Sequence, residues 1–276
     1  MNTMKTLVIG GTGKTGRRVA AKLKERGVPV RIGSRSSTPP FDWQNESGWS
    51  SALRDMQAVY IAYAPDIAVP GAVATLRRLV AAAKREKIQR LVLLSGRGEE
   101  EAQAAERVIQ ESGLEWTIVR ASWFAQNFSE GFLLDLARAG EIVLPAGSVG
   151  EPFVDTDDIA DVAVAALTED RHVGQLYEVT GPRLLTFSEA VAEIARAAGR
   201  DIRYVQVPAE AFSAAMLQQG VPADVIWLLD YLFNTVLDGR NASVTDGVQR
   251  ALGRAPRDFA EYARQTAATG VWSVAT

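Results

Sequence analysis

"LVIGGTGKTGRRVA", Leu7 to Ala20, decides the fold of this 276-residue chain. An apolar run of strand character meets three glycines, Gly10, Gly13 and Gly16, and a helical pattern follows. Glycine at these places permits a tight turn, lets the backbone approach a pyrophosphate, and lets the helix lie close on the strand. The helix start adds free N–H groups and the positive end of a dipole. Dinucleotide binding is the expectation. "GTGKT" also matches the end of the triphosphate-binding loop, but that motif needs glycine five places before Gly13, where Val8 stands inside the strand. No later strand ends in a plain magnesium-binding aspartate: "RLVLLSG" ends in Ser-Gly, and Asp66 stands behind Pro65. Lys14 reads equally as a phosphate neighbour or a solvated helix residue.

Outward from this loop, strand-length apolar runs alternate with helical patterns. Strands are expected at 6–10, 28–33, 58–64, 90–95, 116–119, 142–144 and 176–179, with helices at 14–26, 71–85, 100–112, 126–139 and 158–167. The last hundred residues change character: a capping-box pattern at Thr186 and Glu189, a helix ended by Gly199, a strand-like "RYVQVP", and further helical segments. The fold class is α/β, a Rossmann-type doubly wound parallel sheet with a smaller, mainly helical C-terminal substrate lobe. A dinucleotide-binding core over residues 1–150 and the remaining sheet elements with the lobe over 151–276, joined as one continuous unit, are expected.

Composition narrows the chemistry. The chain is 47% hydrophobic, enough for a substantial core, and has no apolar run of membrane-spanning length and no secretory leader pattern, so a cytoplasmic protein is the expectation. There is no cysteine, and the one histidine, His172 in "TEDRHVG", reads as a solvated turn residue, so no metal site is expected. Residues 1–96 carry a net charge of +10 and the remainder −13, which favours an anionic ligand on the first half. The basic residues are dispersed, so no nucleic acid is expected. The second strand runs into "VRIGSRSSTPP", with no acid between Glu25 and Asp42. NAD would want a carboxylate there for the ribose 2′-hydroxyl, whereas Ser34, Arg35 and Ser36 after Gly33 suit a 2′-phosphate, so NADP(H) is the expected cofactor.

The chain resembles the NmrA-like group of atypical short-chain dehydrogenases. The resemblance rests on "VIGGTGKTG", "RLVLLSG", "ESGLEWTIVRASWFAQNF" (111–128) and "FVDTDDIADVA" (153–163). With "FDW" at 41–43, the chain is also similar to the group's bacterial quinone and dye reductases and to its ergot-alkaloid reductases such as festuclavine dehydrogenase. The resemblance implies that Gly10, Thr12, Gly13, Lys14, Thr15 and Gly16 follow the pyrophosphate, Arg35 the 2′-phosphate, and Asp42 and Trp43 the adenine. It implies that Tyr63, Ala64, Ser95 and Gly96 line the nicotinamide ribose, and that Ala121, Ser122, Trp123 and Phe124 lie by the nicotinamide. Asn127 and Phe128 would continue into a substrate side. Trp123, Phe124 and Phe128, with Trp227, Tyr231 and Phe233 from the C-terminal lobe, form a flat aromatic pocket or ordinary core. In "DTDDIADVA", Thr156 or Asp157 would cap a helix, with Ile159 and Val162 packed beneath.

The chain departs from this pattern at the proton donor. Setting Glu106 on the family's glutamate puts Gly98 at the tyrosine position and Ala102 at the lysine position. Ser95 remains as a candidate to hold an oxygen; Glu99, Glu100 and Glu101 are also candidates for the acid, but acids in a helix's first turn read first as complementing the helix dipole. Two functions fit: hydride transfer from NADP(H) to a planar, electron-poor quinone, iminium or dye, or a non-catalytic redox sensor with a regulatory protein partner.

Overall fold

β1 (Thr6–Ile9), the strand ahead of the glycine loop, is buried along its whole length, as an interior parallel strand must be. The computed structural model describes residues 4–273. After β1 come α1 (Lys14–Glu25), β2 (Val30–Gly33), a short α2 (Trp49–Leu53), β3 (Ala58–Ile61), α3 (Ala72–Arg85), β4 (Arg90–Gly96), α4 (Glu100–Gln110) and β5 (Glu115–Ala121). The chain continues through α5 (Phe132–Ala139), β6 (Glu141–Leu144), α6 (Thr156–Thr168), β7 (Gln175–Val179), α7 (Phe187–Ala198) and β8 (Arg203–Gln206). It ends in α8 (Ala209–Gln218), α9 (Ala223–Asp230), α10 (Gly247–Leu252) and α11 (Phe259–Ala268).

These elements form two units, and the chain passes from one to the other after Ala121, Asp155, Val179, Thr245 and Arg254. The first unit holds a six-stranded sheet in the order β2-β1-β3-β4-β5-β7, parallel at every pairing. Register aligns Leu7 with Val59, Val59 with Leu91 and Leu91 with Trp116. Because side chains alternate along a strand, this row and its neighbours Ile9, Ile61, Leu93 and Ile118 share one core with Trp49, Leu53, Leu76, Leu79 and Ile109 of α2, α3 and α4. On α1, against α6, Thr15 Oγ1 accepts from the buried Tyr60 hydroxyl at 2.9 Å.

The second unit is built on aromatic packing. Phe128 is fully buried, its ring centroid 5.7 Å from that of Phe153, 5.9 Å from Phe187 and 5.8 Å from Phe259. The Trp272 indole donates to the Phe128 carbonyl at 2.8 Å. α7 carries the complete Thr186–Glu189 capping box and ends at Gly199 in the left-handed region. β6, expected among the main strands, pairs instead with β8 in a separate two-stranded parallel sheet.

Three other local expectations are corrected. The helix expected at 126–139 is two pieces, a 3-10 turn at Ala125–Phe128 and α5, separated by extended backbone at Gly131. α6 begins at Thr156 itself, and Asp157 pairs with Arg18 at 3.3 Å and Lys22 at 3.3 Å, while Ile159 and Val162 are buried as expected. His172 is buried, not solvated: its carbonyl accepts from Thr117 Oγ1 at 2.7 Å and its Nδ1 meets the Tyr177 hydroxyl at 2.9 Å. Desolvation holds its pKa below the ordinary histidine value. Among the described residues no helix is long and apolar enough to cross a membrane.

The aromatic cluster makes the first prediction. Phe128→Ala opens a cavity in a closed core, and urea unfolding of the variant is expected to show a loss of about 3–5 kcal/mol.

Candidate functional site

The strand order reverses between β1 and β3, so a crevice lies at their carboxyl ends, where open parallel sheets bind ligands. Gly10 stands at φ +72, takes a bond from its N–H to Gly33 O at 3.0 Å and accepts from the Gly13 N–H at 2.9 Å. A side chain on Gly16 would place its Cβ 2.2 Å from Gly10 O, so α1 lies directly on the turn. Gly11 is equally constrained, a Cβ there falling 2.9 Å from both Ile32 Cγ2 and Val8 O. Thr12 and Gly13 are exposed and Lys14 half-buried. No side chain caps the start of α1 and no acid stands in its first turn, which suits an anion. Thr15 is buried and turned to Tyr60, leaving its side chain out of this edge.

At the end of β2 the chain closes a small loop. Ser34 O accepts from the N–H of Phe41 at 2.8 Å and of Ser37 at 3.2 Å, and the Ser34 and Ser36 hydroxyls stand 3.3 Å apart. The Arg35 side chain is exposed. Beneath the loop, Phe41 stacks on Trp49 at 5.6 Å and Trp43 leans on Tyr63 at 4.5 Å. Asp42 is held in its own turn, its carboxylate accepting from Gln44 N at 3.0 Å and its carbonyl from Trp49 Nε1 at 2.7 Å. An unopposed arginine, paired hydroxyls and half-buried aromatic faces fit the adenosine 2′-phosphate end of a dinucleotide.

The end of β4 holds two buried glutamates of opposite character. Ser95 donates to Glu106 Oε1 at 2.6 Å; Glu106, 2% exposed, also accepts from Arg120 Nε at 2.8 Å. Arg120 Nη1 donates to Glu178 at 2.7 Å, and Arg97 lies 3.5 Å from the same carboxylate. Ser95 is thus tied into a buried ionic chain, its proton committed to Glu106.

Among the described residues no cation pairs with Glu99. It is 6% exposed, caps no helix N–H although it stands at the N-cap of α4, and its Oε2 is buried without a hydrogen-bond partner. Its carboxyl lies over the α-carbon of Gly96, where a Cβ would fall 2.1 Å from Oε1 and 2.4 Å from Oε2. Gly98, at φ +80, turns the chain so that Glu99 folds back over Gly96. The groups acting on it are carboxylates: Asp66, to which it is hydrogen-bonded, Glu101 and Glu106. Burial, then these charges, push its pKa up to about 9, so it is a neutral acid at pH 7. Asp66, also raised by burial, accepts from Ala68 N at 2.8 Å. Glu99 is the residue that sequence reasoning misread as a dipole acid; Glu100 and Glu101 are exposed and fit that role. The signal was Gly96 and Gly98 flanking Arg97 just before it.

The remaining expected residues fall in order along the chain. Tyr63 is half-buried and Ala64 exposed after β3, and Ala121 closes β5. Ser122 is buried. In the second unit, Trp123 packs on Phe187 at 5.2 Å and Phe233 at 5.0 Å, Phe124 bridges to Val154, and Asn127 is half-buried. Phe128 belongs to the closed core, its surface consumed by three other rings. Trp227, 42% exposed, stacks on Tyr231 at 5.7 Å and 3°. Among the described residues no cluster of metal-ligating side chains occurs.

This geometry defines an α/β dinucleotide-binding protein. Residues 10–170, more than half of the chain, match the NAD(P)H-binding family. The NAD(P)H azoreductase of Xenophilus azovorans is 32% identical over 95% of this chain and 98% of its own length. The agroclavine dehydrogenase of Claviceps fusiformis is 30% identical over 94% and 96%. The triphenylmethane reductase of a Citrobacter species, solved with NADP(H), shares the fold at a TM-score of 0.74 and 20% identity, covering 95% of this chain and 99% of that one. The chain belongs to the NAD(P)H-binding oxidoreductase family.

Glu99 makes stability depend on pH. Between the ordinary glutamate range and about 9, the folded protein holds a proton that the unfolded chain has lost, so this group's contribution is complete below that window and falls as pH rises through it. Glu99→Gln is therefore expected to gain stability over the wild type as pH rises from about 5 to 9, by at most about 1.4 kcal/mol per pH unit. Thermal unfolding across that range measures the difference.

Proposed function

We propose that the protein is an NADPH-dependent reductase that passes hydride to a planar, electron-poor small molecule: a quinone, an iminium or a dye. The observation that carries the cofactor preference is the end of β2, where Ser34, Arg35 and Ser36 stand without a carboxylate. The loop at Gly10–Gly16 holds the pyrophosphate on backbone N–H groups, and Arg35 neutralises the 2′-phosphate. Trp43 and Tyr63 offer flat faces for the adenosine and ribose side. When bound, the reduced nicotinamide supplies the hydride. The relatives named for azoreduction and agroclavine dehydrogenation support an acceptor of this kind.

The test is loss of NADPH absorbance with a panel of quinones, cyclic iminium ions and triarylmethane dyes, run with NADH in parallel. Turnover with NADPH is expected. Arg35→Ala is expected to raise KM for NADPH about tenfold, the worth of one charge-assisted phosphate contact, and to leave KM for NADH unchanged. Faster turnover of the wild type with NADH sinks the Arg35 assignment. Cofactor binding without turnover on any acceptor favours a regulatory protein that reads the dinucleotide.

A further inference from the structure

Hydride added to a neutral acceptor leaves negative charge that a proton must discharge. The tyrosine and lysine that the resemblance leads one to expect are replaced by Gly98, in the left-handed region, and by Ala102, buried in the core. The Ser95 hydroxyl donates a hydrogen bond to the Glu106 carboxyl, and an alcohol is in any case a poor acid. We propose that the Glu99 carboxyl, held over Gly96 at the carboxyl end of β4, is the proton donor of this site; the inference rests on the reductase reading.

Three observations converge on that carboxyl. It is more than nine-tenths buried yet keeps one oxygen without a partner, a costly arrangement for a group with only a structural task. It occupies the volume of the absent side chain of Gly96, the residue that ends β4 at the ligand edge of the sheet. It is hydrogen-bonded to Asp66, which follows the end of β3. Burial first, and then the charged groups around it, account for its neutral state. Asp66 comes from the β3–α3 loop, Glu101 and Glu106 come from α4, and Glu106 is held by Arg120 of β5. Arg97 at the end of β4 turns to Glu178.

The step balances. The acceptor gains a hydride, carrying two electrons, from the reduced nicotinamide; the O–H bond of Glu99 breaks, and a new O–H bond forms on the acceptor oxygen. A quinone leaves as hydroquinone, and the Glu99 carboxylate regains one proton from solvent, with the partly exposed Asp66 on the return path. A cationic dye or an iminium is discharged by hydride alone and needs no such proton. This difference separates the donor from the reductase reading.

The experiment compares the wild type, Glu99→Gln and Asp66→Asn with NADPH on a neutral quinone and on a cationic triarylmethane dye. Gln matches the neutral acid in shape, and Glu99→Gln is expected to lose about 10²-fold in kcat on the quinone and to stay within threefold of wild type on the dye. Wild-type quinone reduction is expected to fall on the alkaline side, and Asp66→Asn to move that fall to lower pH by removing a charge that favours the protonated acid. In the cofactor-free wild type, difference infrared spectroscopy is expected to show a protonated carboxyl at pH 7 that is missing from Glu99→Gln. Unchanged quinone turnover in Glu99→Gln, equal losses on both acceptors, or no such carboxyl overturns the donor while dye turnover keeps the reductase reading. A wild type that reduces neither acceptor overturns that reading, and the donor with it.

Discussion

The closeness of Gly16 to the Gly10 carbonyl is the constraint on which the dinucleotide edge depends. Because no side chain can stand between them, α1 starts on top of the β1 turn, its first N–H groups at the point where the strand order reverses. Tyr60 locks the arrangement from the neighbouring strand by donating to Thr15 on the same helix. The same device recurs three strands along the chain: the place of a missing Gly96 side chain is taken by the Glu99 carboxyl. In the first case the omitted atoms let a helix start on the turn after β1; in the second they let an acid lie over the end of β4.

α4 then shows how environment divides one residue type into two roles. Glu106 and Glu99 are both buried. Glu106 faces Arg120 and the Ser95 hydroxyl, which donate to its carboxyl oxygens, and the Glu106 carboxyl holds Arg120 strongly basic in return. Glu99 is buried beside Asp66, with no cation paired to it among the described residues, so the neutral form is the stable one. The ionic chain from Ser95 to Glu178 also absorbs Arg97, the arginine nearest to Glu99 in sequence. A buried ion pair of this sort contributes little net stability; here it engages Arg97 and Arg120 with Glu178 and Glu106.

How far the sequence went follows from the physics at each place. The strands of the main sheet were legible because their apolar runs are continuous, and the glycine loop because its spacing follows from backbone geometry. α2 was not, since "NESGWSSALRD" is mostly polar and only Trp49, Ala52 and Leu53 bury it. β6 was seen as a strand but not its partner, because pairing depends on contacts with β8 some sixty residues away. His172 and Glu99 failed for a shared reason: both sit beside charged residues that mark a surface, and only tertiary packing turns them inward. Phe128 and Trp227 show the same limit among aromatics. Each reads as a ring at helical spacing, and only the fold makes the first core and the second exposed.

The missing tyrosine and lysine take on a different meaning beside Glu99. A proton donor works best with a pKa near the working pH. A phenol begins near 10 and has to be brought down, which is what a neighbouring ammonium does; a carboxylic acid begins near 4.3 and has to be brought up. Burial and neighbouring anions raise an acid, and a lysine beside it would undo the effect. Glu99, raised first by burial and then by Asp66, Glu101 and Glu106, has the surroundings that a carboxylic acid needs and a phenol does not. On this account the proton donor has changed its chemistry and, with it, the sign of the electrostatics around it.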